Sequence, residues 1–305
     1  MSGSSNHWRD RPAAVYAAAV FALVLWAGTP IANKIAVAAI DPATAGLLRS
    51  ALAGLASLLL AWLWRLPFPA GARQRTLLAL SSIGNFVAWP WLLSVGLGFT
   101  TANHAALMIA TIPVFTGLMA ATVDRIRLGF AWFAGVTISL CGTALLIGVR
   151  ADIGSAAAGS VIGDLIILLG VLACAAGYVA GGKLAPQIGT FPTTFWGLGT
   201  ANVILVPALA LLWARTGWSG VGAGAWLAVA YMALCSSFVG YIAWFWALGR
   251  GGITRISSWQ LGQPVLTVVA AGVLLGERVT WPLAVAGFAV LIGTALTQLA
   301  PRPQP

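Results

Sequence analysis

HAALMIATIPVFTGLMAATVDRIRLGFAWFAGVTISLCGTAL, residues 104–145, organises this chain, because the chain holds it twice. Shifted by 151 residues without a gap, it meets RISSWQLGQPVLTVVAAGVLLGERVTWPLAVAGFAVLIGTAL, residues 255–296, and ten of the 42 positions are identical. Pro113 coincides with Pro264 and Arg127 with Arg278, and Gly142-Thr143-Ala144-Leu145 returns as Gly293-Thr294-Ala295-Leu296. Each copy is two long apolar segments joined by a short charged turn. A repeat is read before local detail because it sets the architecture. In a membrane chain it points to a transporter built from halves.

Composition places the chain in the bilayer. Of 305 residues, 60% are hydrophobic and 7% charged, with mean hydropathy +0.95. Soluble domains carry roughly 25% charged residues, and so little polar surface cannot coat a water-soluble fold. The net charge of +10 comes from 16 Lys and Arg set singly between apolar segments. That pattern is a topology signal rather than a nucleic-acid surface. Cys141, Cys174 and Cys235 stand apart inside apolar runs, with neither metal spacing nor a disulfide framework. Arg9 and Arg11 precede a long apolar run that mimics a signal peptide, but the run continues to about Lys34 and is read as a retained first transmembrane helix.

About 20 apolar residues cross a hydrocarbon core. Ten spans satisfy this: 13–33, 43–64, 76–98, 102–123, 128–149, 159–182, 192–214, 223–248, 253–275 and 281–300. Gly and Pro punctuate short connections between them, and the tails are 1–12 and 301–305. The repeat extends upstream: Ala27-Gly28 and Lys34 match Ala176-Gly177 and Lys183 at a shift of 149. The chain therefore divides into a first five-helix repeat, 13–150, and a second, 159–300. Five is odd, so the second half enters the membrane upside down. Such an inverted repeat supplies two related conformations, each open to one side. The predicted fold class is an all-α integral membrane protein of ten helices in two inverted five-helix repeats.

At this point the residues resemble the drug/metabolite transporter superfamily, in its EamA-like branch. The resemblance is carried by Ala105-Ala106-Leu107-Met108 to Pro113-Val114-Phe115 in span four, and by Gln263-Pro264-Val265 to Gly276-Glu277-Arg278 in span nine. The family's Gly-Glu-Arg turn is kept in the second half, whereas the first has Arg125-Ile126-Arg127. Leu47-Leu48-Arg49 and Gly163-Asp164 are similar to further family positions. Among subgroups, the aromatic richness is most like the YddG-type exporters of aromatic amino acids. The resemblance implies export of a small metabolite through a central cavity lined by both halves.

Fifteen tryptophans are a high count, and the simplest account of them is the aromatic belt at the two membrane interfaces. Trp8, Trp62, Trp64, Trp213, Trp218 and Trp281 lie near span ends. Trp26, Trp89, Trp91, Trp244, Trp246 and Trp259 fit that account less well, and a cavity-facing indole offers a flat apolar wall with one N–H. Polar residues inside spans are costly unless paired or facing water. Gln260, Gln263 and Thr267 share one face of span nine; Ser82, Asn85 and Trp89 one of span three; His104, Met108, Thr111 and Phe115 one of span four. Trp26 with Asn33, Tyr241 with Trp244, and Cys174 with Tyr178 extend the set to six stripes. Any one stripe is explained by bonding between helices; six, from both halves, indicate a shared polar and aromatic cavity. The candidate substrate-binding residues are Trp26, Asn85, Trp89, His104, Met108, Tyr178, Tyr241, Trp259, Gln260 and Gln263. Gly28, Pro113, Gly177 and Pro264 are candidate hinge or packing positions. Arg255, the repeat partner of His104, reads as a charge at the inner end of span nine, and Arg49 as one that snorkels to the outer interface.

Neither a Walker motif, nor a metal-ligand pair, nor a scaffolded Ser/His/Asp set is present, so no cofactor is expected. The expected partners are a small-molecule substrate and membrane lipid, with no nucleic acid. The rival from another class is an intramembrane enzyme acting on lipid with His104 and Asp164, which has no need of an inverted repeat. With the amino terminus inside, eleven basic residues (Arg9, Arg11, Arg65, Arg73, Arg75, Arg125, Arg127, Lys183, Arg250, Arg255, Arg302) fall on the inner side and four (Lys34, Arg150, Arg215, Arg278) outside. Both termini should therefore be cytoplasmic, with the 98–102 and 276–280 turns outside. Single cysteines labelled from each side of the membrane check this, and a carboxyl terminus labelled from outside contradicts it.

Overall fold

The computed structural model of the protein describes residues 12–97, 99, 108–151, 161–266, 269 and 281–299. Every regular element among these is helical. In chain order they are α1 (Pro12–Ala27), α2 (Thr29–Val37), α3 (Pro42–Leu63), α4 (Ala72–Ser82), α5 (Trp89–Leu97), α6 (Ile112–Asp124), α7 (Phe130–Ala151), α8 (Val161–Ile188), α9 (Thr190–Trp213), α10 (Ala223–Tyr231), α11 (Gly240–Gly251), α12 (Ile253–Ser257) and α13 (Trp281–Thr297). Two π-helical turns, Ile83–Ala88 and Met232–Val239, join α4 to α5 and α10 to α11, and a 3-10 turn, Ser258–Gly262, follows α12. Six of the resulting stretches are long and apolar enough to cross a membrane: Pro12–Val37, Pro42–Leu63, Ala72–Gly96, Val161–Ile188, Thr190–Trp213 and Ala223–Gly251. Shorter apolar helices, Ile112–Asp124, Phe130–Leu145 and Ala284–Thr297, accompany them. They fall within the expected fourth, fifth and tenth spans. The 276–280 turn lies outside the described residues, as do most of the 98–102 turn and both tails.

Helix ends follow ordinary capping chemistry. Asp41 caps α3, one carboxylate oxygen accepting from the backbone N–H and the hydroxyl of Thr44, both at 2.9 Å, with Pro42 in the first turn. At the opposite end of α3 the chain turns at Arg65 (φ 48°), and α6 stops at Arg125 (φ 54°) in the same left-handed conformation. The N–H groups of Leu66 and Ile126 then close on the carbonyls of Ala61 and Ala121, at 2.9 and 2.8 Å. These caps set cations at helix C-termini, where the dipole favours them.

The bundle is inside out relative to a soluble protein. Leu211, Phe288 and Phe130 turn apolar surface outward, and Trp62 and Trp281 are 73% and 79% exposed, as belt residues are. Inside, α3 lies along α9, α7 along α13, α1 along α11, and α4 and α5 along α8. At one end of the bundle Lys183 pairs with Asp124, the Trp196 indole donates to the Pro67 carbonyl at 3.1 Å, and Arg255 donates to Gln298 at 3.3 Å. At the other end the hydroxyls of Thr44 and Thr216 meet at 2.9 Å.

Close approach depends on small residues. A Cβ on Gly135 would stand 2.5 Å from the Gly293 carbonyl oxygen, and one on Gly293 would stand 2.5 Å from that of Gly135. Between them the Ser139 hydroxyl donates to the Val290 carbonyl at 3.0 Å. Backbone, not side chain, is the obstacle, so α7 and α13 would have to separate to admit a methyl group. Gly135→Ala is expected to destabilise by about 1–3 kcal/mol through overpacking. Gly224→Ala, in open space on α10, should be neutral or slightly stabilising. Thermal unfolding of the two variants in detergent checks the contrast; equal midpoints would refute this account of the α7–α13 contact.

Candidate functional site

The two π-helical turns set the geometry at the centre. A π turn widens the helix locally and re-aims side chains, and such turns recur at functional sites. From the first, Asn85 projects into α8. Its amide donates to Ser81 at 3.3 Å, its carbonyl oxygen accepts from the Cys174 thiol at 3.7 Å, and it lies against Gly177, where a Cβ would stand 2.6 Å from the amide nitrogen. From the second, the Ser236 carbonyl accepts the Trp26 indole N–H at 3.0 Å, and the Ser236 hydroxyl accepts from Thr29 at 3.0 Å. Trp26 is thereby held at the meeting point of α1, α8 and α11.

Around it stands a nest of rings. Trp26 lies parallel to Tyr178, 6.0 Å between centroids and 3° between planes. It meets Tyr241 edge-on at 5.3 Å and Trp244 tilted at 5.2 Å. Phe86 and Trp244 extend the nest, at 4.6 Å from Tyr241 and 5.7 Å from Tyr178. Trp26 is 6% exposed and Trp244 fully buried.

The 3-10 turn brings in the remaining polar groups. Gln260 is 7% exposed, its side-chain amide lies against the Tyr178 hydroxyl, and its Oε1 has no hydrogen-bond partner. The half-buried Trp259 packs on Tyr16 at 5.1 Å, and its indole N–H is likewise unpartnered. Gln263 follows, half-buried. Trp89 and Met108 pack on the same central core, Trp89 beside Gly170 of α8. The structure thus gathers Trp26, Asn85, Tyr178, Tyr241 and Gln260 into one connected cluster, with Trp89, Met108 and Trp259 at its margin. His104 and Thr267 lie outside the described residues.

Several placements differ from the sequence expectation. Gly28 and Gly177 do not bring spans one and six together. Gly28 faces the Tyr231 hydroxyl of α10, which donates to the Leu25 carbonyl at 2.7 Å, while Gly177 faces Asn85. The close approaches run from span one to span eight and from span three to span six, because the aromatic nest occupies the space between. Pro113 and Pro264 are not mid-helix kinks. Helix α6 begins at Ile112 after a break at Ala110 and Thr111, so Pro113 sits in its first turn, and Pro264 follows the 3-10 turn, just after Gln263. Ser82 is absorbed by bonding between helices, donating to the Gly197 carbonyl at 2.8 Å. Arg49 does not snorkel. It turns inward, its Nη1 4.0 Å from the Met232 sulfur and its charge within electrostatic range of Tyr241, Tyr178 and Cys174. Sequence reading missed it because snorkelling is the common fate of an Arg in a span. Its position two turns inside the helix was the available signal.

Because Trp26 holds the nest through both a hydrogen bond and ring contacts, the two contributions separate by mutation. Trp26→Phe should cost about 1 kcal/mol of stability for the lost N–H bond, and Trp26→Ala about 3–5 kcal/mol for the cavity as well. Unfolding midpoints in detergent measure both; equal losses would show that the rings around Trp26 do not depend on it.

Comparison with known proteins agrees with this architecture. The model of the EamA-like transporter family matches twice, at residues 13–148 and 161–299. The uncharacterized transporter YdeK of Bacillus subtilis is 28% identical over 90% of this chain and 93% of its own length. The uncharacterized inner membrane transporter YedA of Escherichia coli K12 is 29% identical over 93% and 92%. A probable terminal-alkyne amino-acid exporter of Streptantibioticus cattleyicolor is 25% identical over 72% and 71%. A solved crystal structure with 21% identity superposes at a TM-score of 0.77, covering 94% of this chain and 97% of its own, and shares the fold. With both matches together spanning nearly all of its length, the chain belongs to the EamA-like transporter family of the drug/metabolite transporter superfamily, and is a multi-pass membrane transporter rather than an enzyme.

Proposed function

We propose that this transporter exports small metabolites across a bacterial-type inner membrane, its substrates being amino acids with apolar or aromatic side chains. The observation that carries the reading is the ring nest of Trp26, Tyr178, Tyr241 and Trp244, bordered by unpartnered polar atoms on Trp259 and Gln260. Flat apolar walls suit an aromatic or aliphatic side chain, and unpaired donors and acceptors suit its polar end. The probable terminal-alkyne amino-acid exporter from Streptantibioticus cattleyicolor supports an amino acid as the substrate class. Other drug-like or metabolite-like solutes are the competing substrate class.

The mechanism proposed is alternating access between two inverted five-helix halves, 13–150 and 159–300, with tails 1–12 and 301–305 in the cytoplasm. Support comes from the two family matches and from internal correspondences. The π turns begin 149 residues apart, at Ile83 and Met232, and the irregular turns ahead of Pro113 and Pro264 also correspond. The pairing of α3 with α9 and of α7 with α13 joins equivalent helices of the two halves. Discontinuous helices at the centre are where carriers of this kind place their sites.

Among the described residues no carboxylate is assigned to energy coupling. Asp41 caps α3, Asp124 pairs with Lys183, and Asp164 stands in the first turn of α8, where it complements the helix dipole. Purified protein in liposomes, given a panel of labelled amino acids, tests the whole reading. Phenylalanine or leucine should equilibrate across the bilayer without accumulating when only a pH gradient is imposed, and Trp259→Ala or Gln263→Ala should lower the rate more than the folded yield. Accumulation abolished by Asp164→Asn or His104→Gln in folded protein would overturn the uncoupled mechanism; transport confined to non-amino-acid solutes would overturn the substrate class.

A further inference from the structure

Arg49 lies two turns inside α3, about 11 Å of helix rise beyond Pro42. Its Nε is shut off from solvent and has no hydrogen-bond partner. The polar contact of its guanidinium is the Met232 thioether at 4.0 Å, a weak acceptor. The hydroxyls of Tyr241 and Tyr178 and the thiol of Cys174 lie within its electrostatic range, and no carboxylate among the described residues is in ion-pair range. A positively charged, half-buried guanidinium with an unpartnered Nε therefore lies within electrostatic reach of the aromatic nest without an anion in ion-pair range. A cation inside a membrane span is too costly to persist without a partner, and such a residue marks a site by default. The planar guanidinium fork matches a carboxylate with two parallel hydrogen bonds.

The other polar groups complete the pattern. Tyr178 carries both ends of it: Arg49 lies within its electrostatic reach, and the Gln260 amide rests on its hydroxyl. The unpartnered Gln260 Oε1 is an acceptor suited to an N–H donor. The rings of Trp26 and Tyr241 supply the apolar wall.

We propose that Arg49 is the carboxylate anchor of the transport site, making the carrier selective for small carboxylates, with Gln260 accepting from the substrate's ammonium group. This rests on the amino-acid reading above and adds the group that fixes the substrate's orientation. A bound carboxylate offsets the cost of holding this half-buried cation inside the span, so the anion is taken up beside the charge.

Ligand-dependent shifts of the unfolding midpoint in detergent test this with three probes: phenylalanine, phenylacetate and phenethylamine. Wild-type protein should bind both carboxylates at least tenfold more tightly than the amine. Arg49→Gln should weaken both carboxylates tenfold or more and leave the amine unchanged, and Arg49→Lys, which keeps the charge without the fork, should recover part of the loss. Should the Gln variant not fold, the wild-type preference and the Lys variant decide the matter. A wild-type protein that binds the amine as tightly as the acids, or that binds no carboxylate, overturns the anchor. So does a folded Gln variant with undiminished carboxylate binding, which would leave the amino-acid reading standing. Arg49-dependent binding of phenylacetate without phenylalanine supports the anchor and removes the amino-acid reading instead.

Discussion

In hydrocarbon, helices gain nothing by hiding apolar surface from one another, since lipid tails are as apolar as leucine. What holds this bundle together is close backbone contact at small residues, and the rest of the structure depends on it. Gly135 and Gly293 let α7 and α13 meet backbone to backbone, Gly84 lies beside Gly177, and Gly54 leaves room for the Asn202 side chain of α9. Each contact brings carbonyls and hydroxyls of neighbouring helices within bonding range, as Ser139 with Val290 and Asn202 with Ala51 show. Polar groups are then satisfied inside the protein, where the bilayer offers no water.

The same logic makes the exceptions informative. Many buried hydroxyls bond back to the preceding turn of their own helix, as Ser57, Thr116 and Thr194 do. Among the unpartnered atoms, single ones on Thr143, Asn202 and Thr254 lie elsewhere in the bundle, whereas those of Arg49, Trp244, Trp259 and Gln260 fall at the aromatic centre and its border. Those residues also stand on or beside the irregular segments, π turns on one side and a 3-10 turn on the other. Regular helix geometry is relaxed where the protein places its rings, and hydrogen bonding is left incomplete there. A ligand with one apolar and one charged end fits such a place.

Membrane class, helical fold and family were legible in the amino-acid sequence, because each rests on a pattern longer than any single contact. The apolar runs follow from bilayer thickness. The gathering of Trp26, Asn85, Tyr178 and Tyr241 was also within reach, since each shares a helical face with another polar or aromatic residue. Other features were decided only by tertiary structure. The widened turns at Ile83–Ala88 and Met232–Val239 leave no mark in composition, and the partners of Gly28 and Gly177 depended on which helices became neighbours. The direction of Arg49 was the clearest case. A guanidinium on a long flexible stem reaches either the interface or the interior, and only its packed neighbour Met232 and the surrounding tertiary structure decide between them.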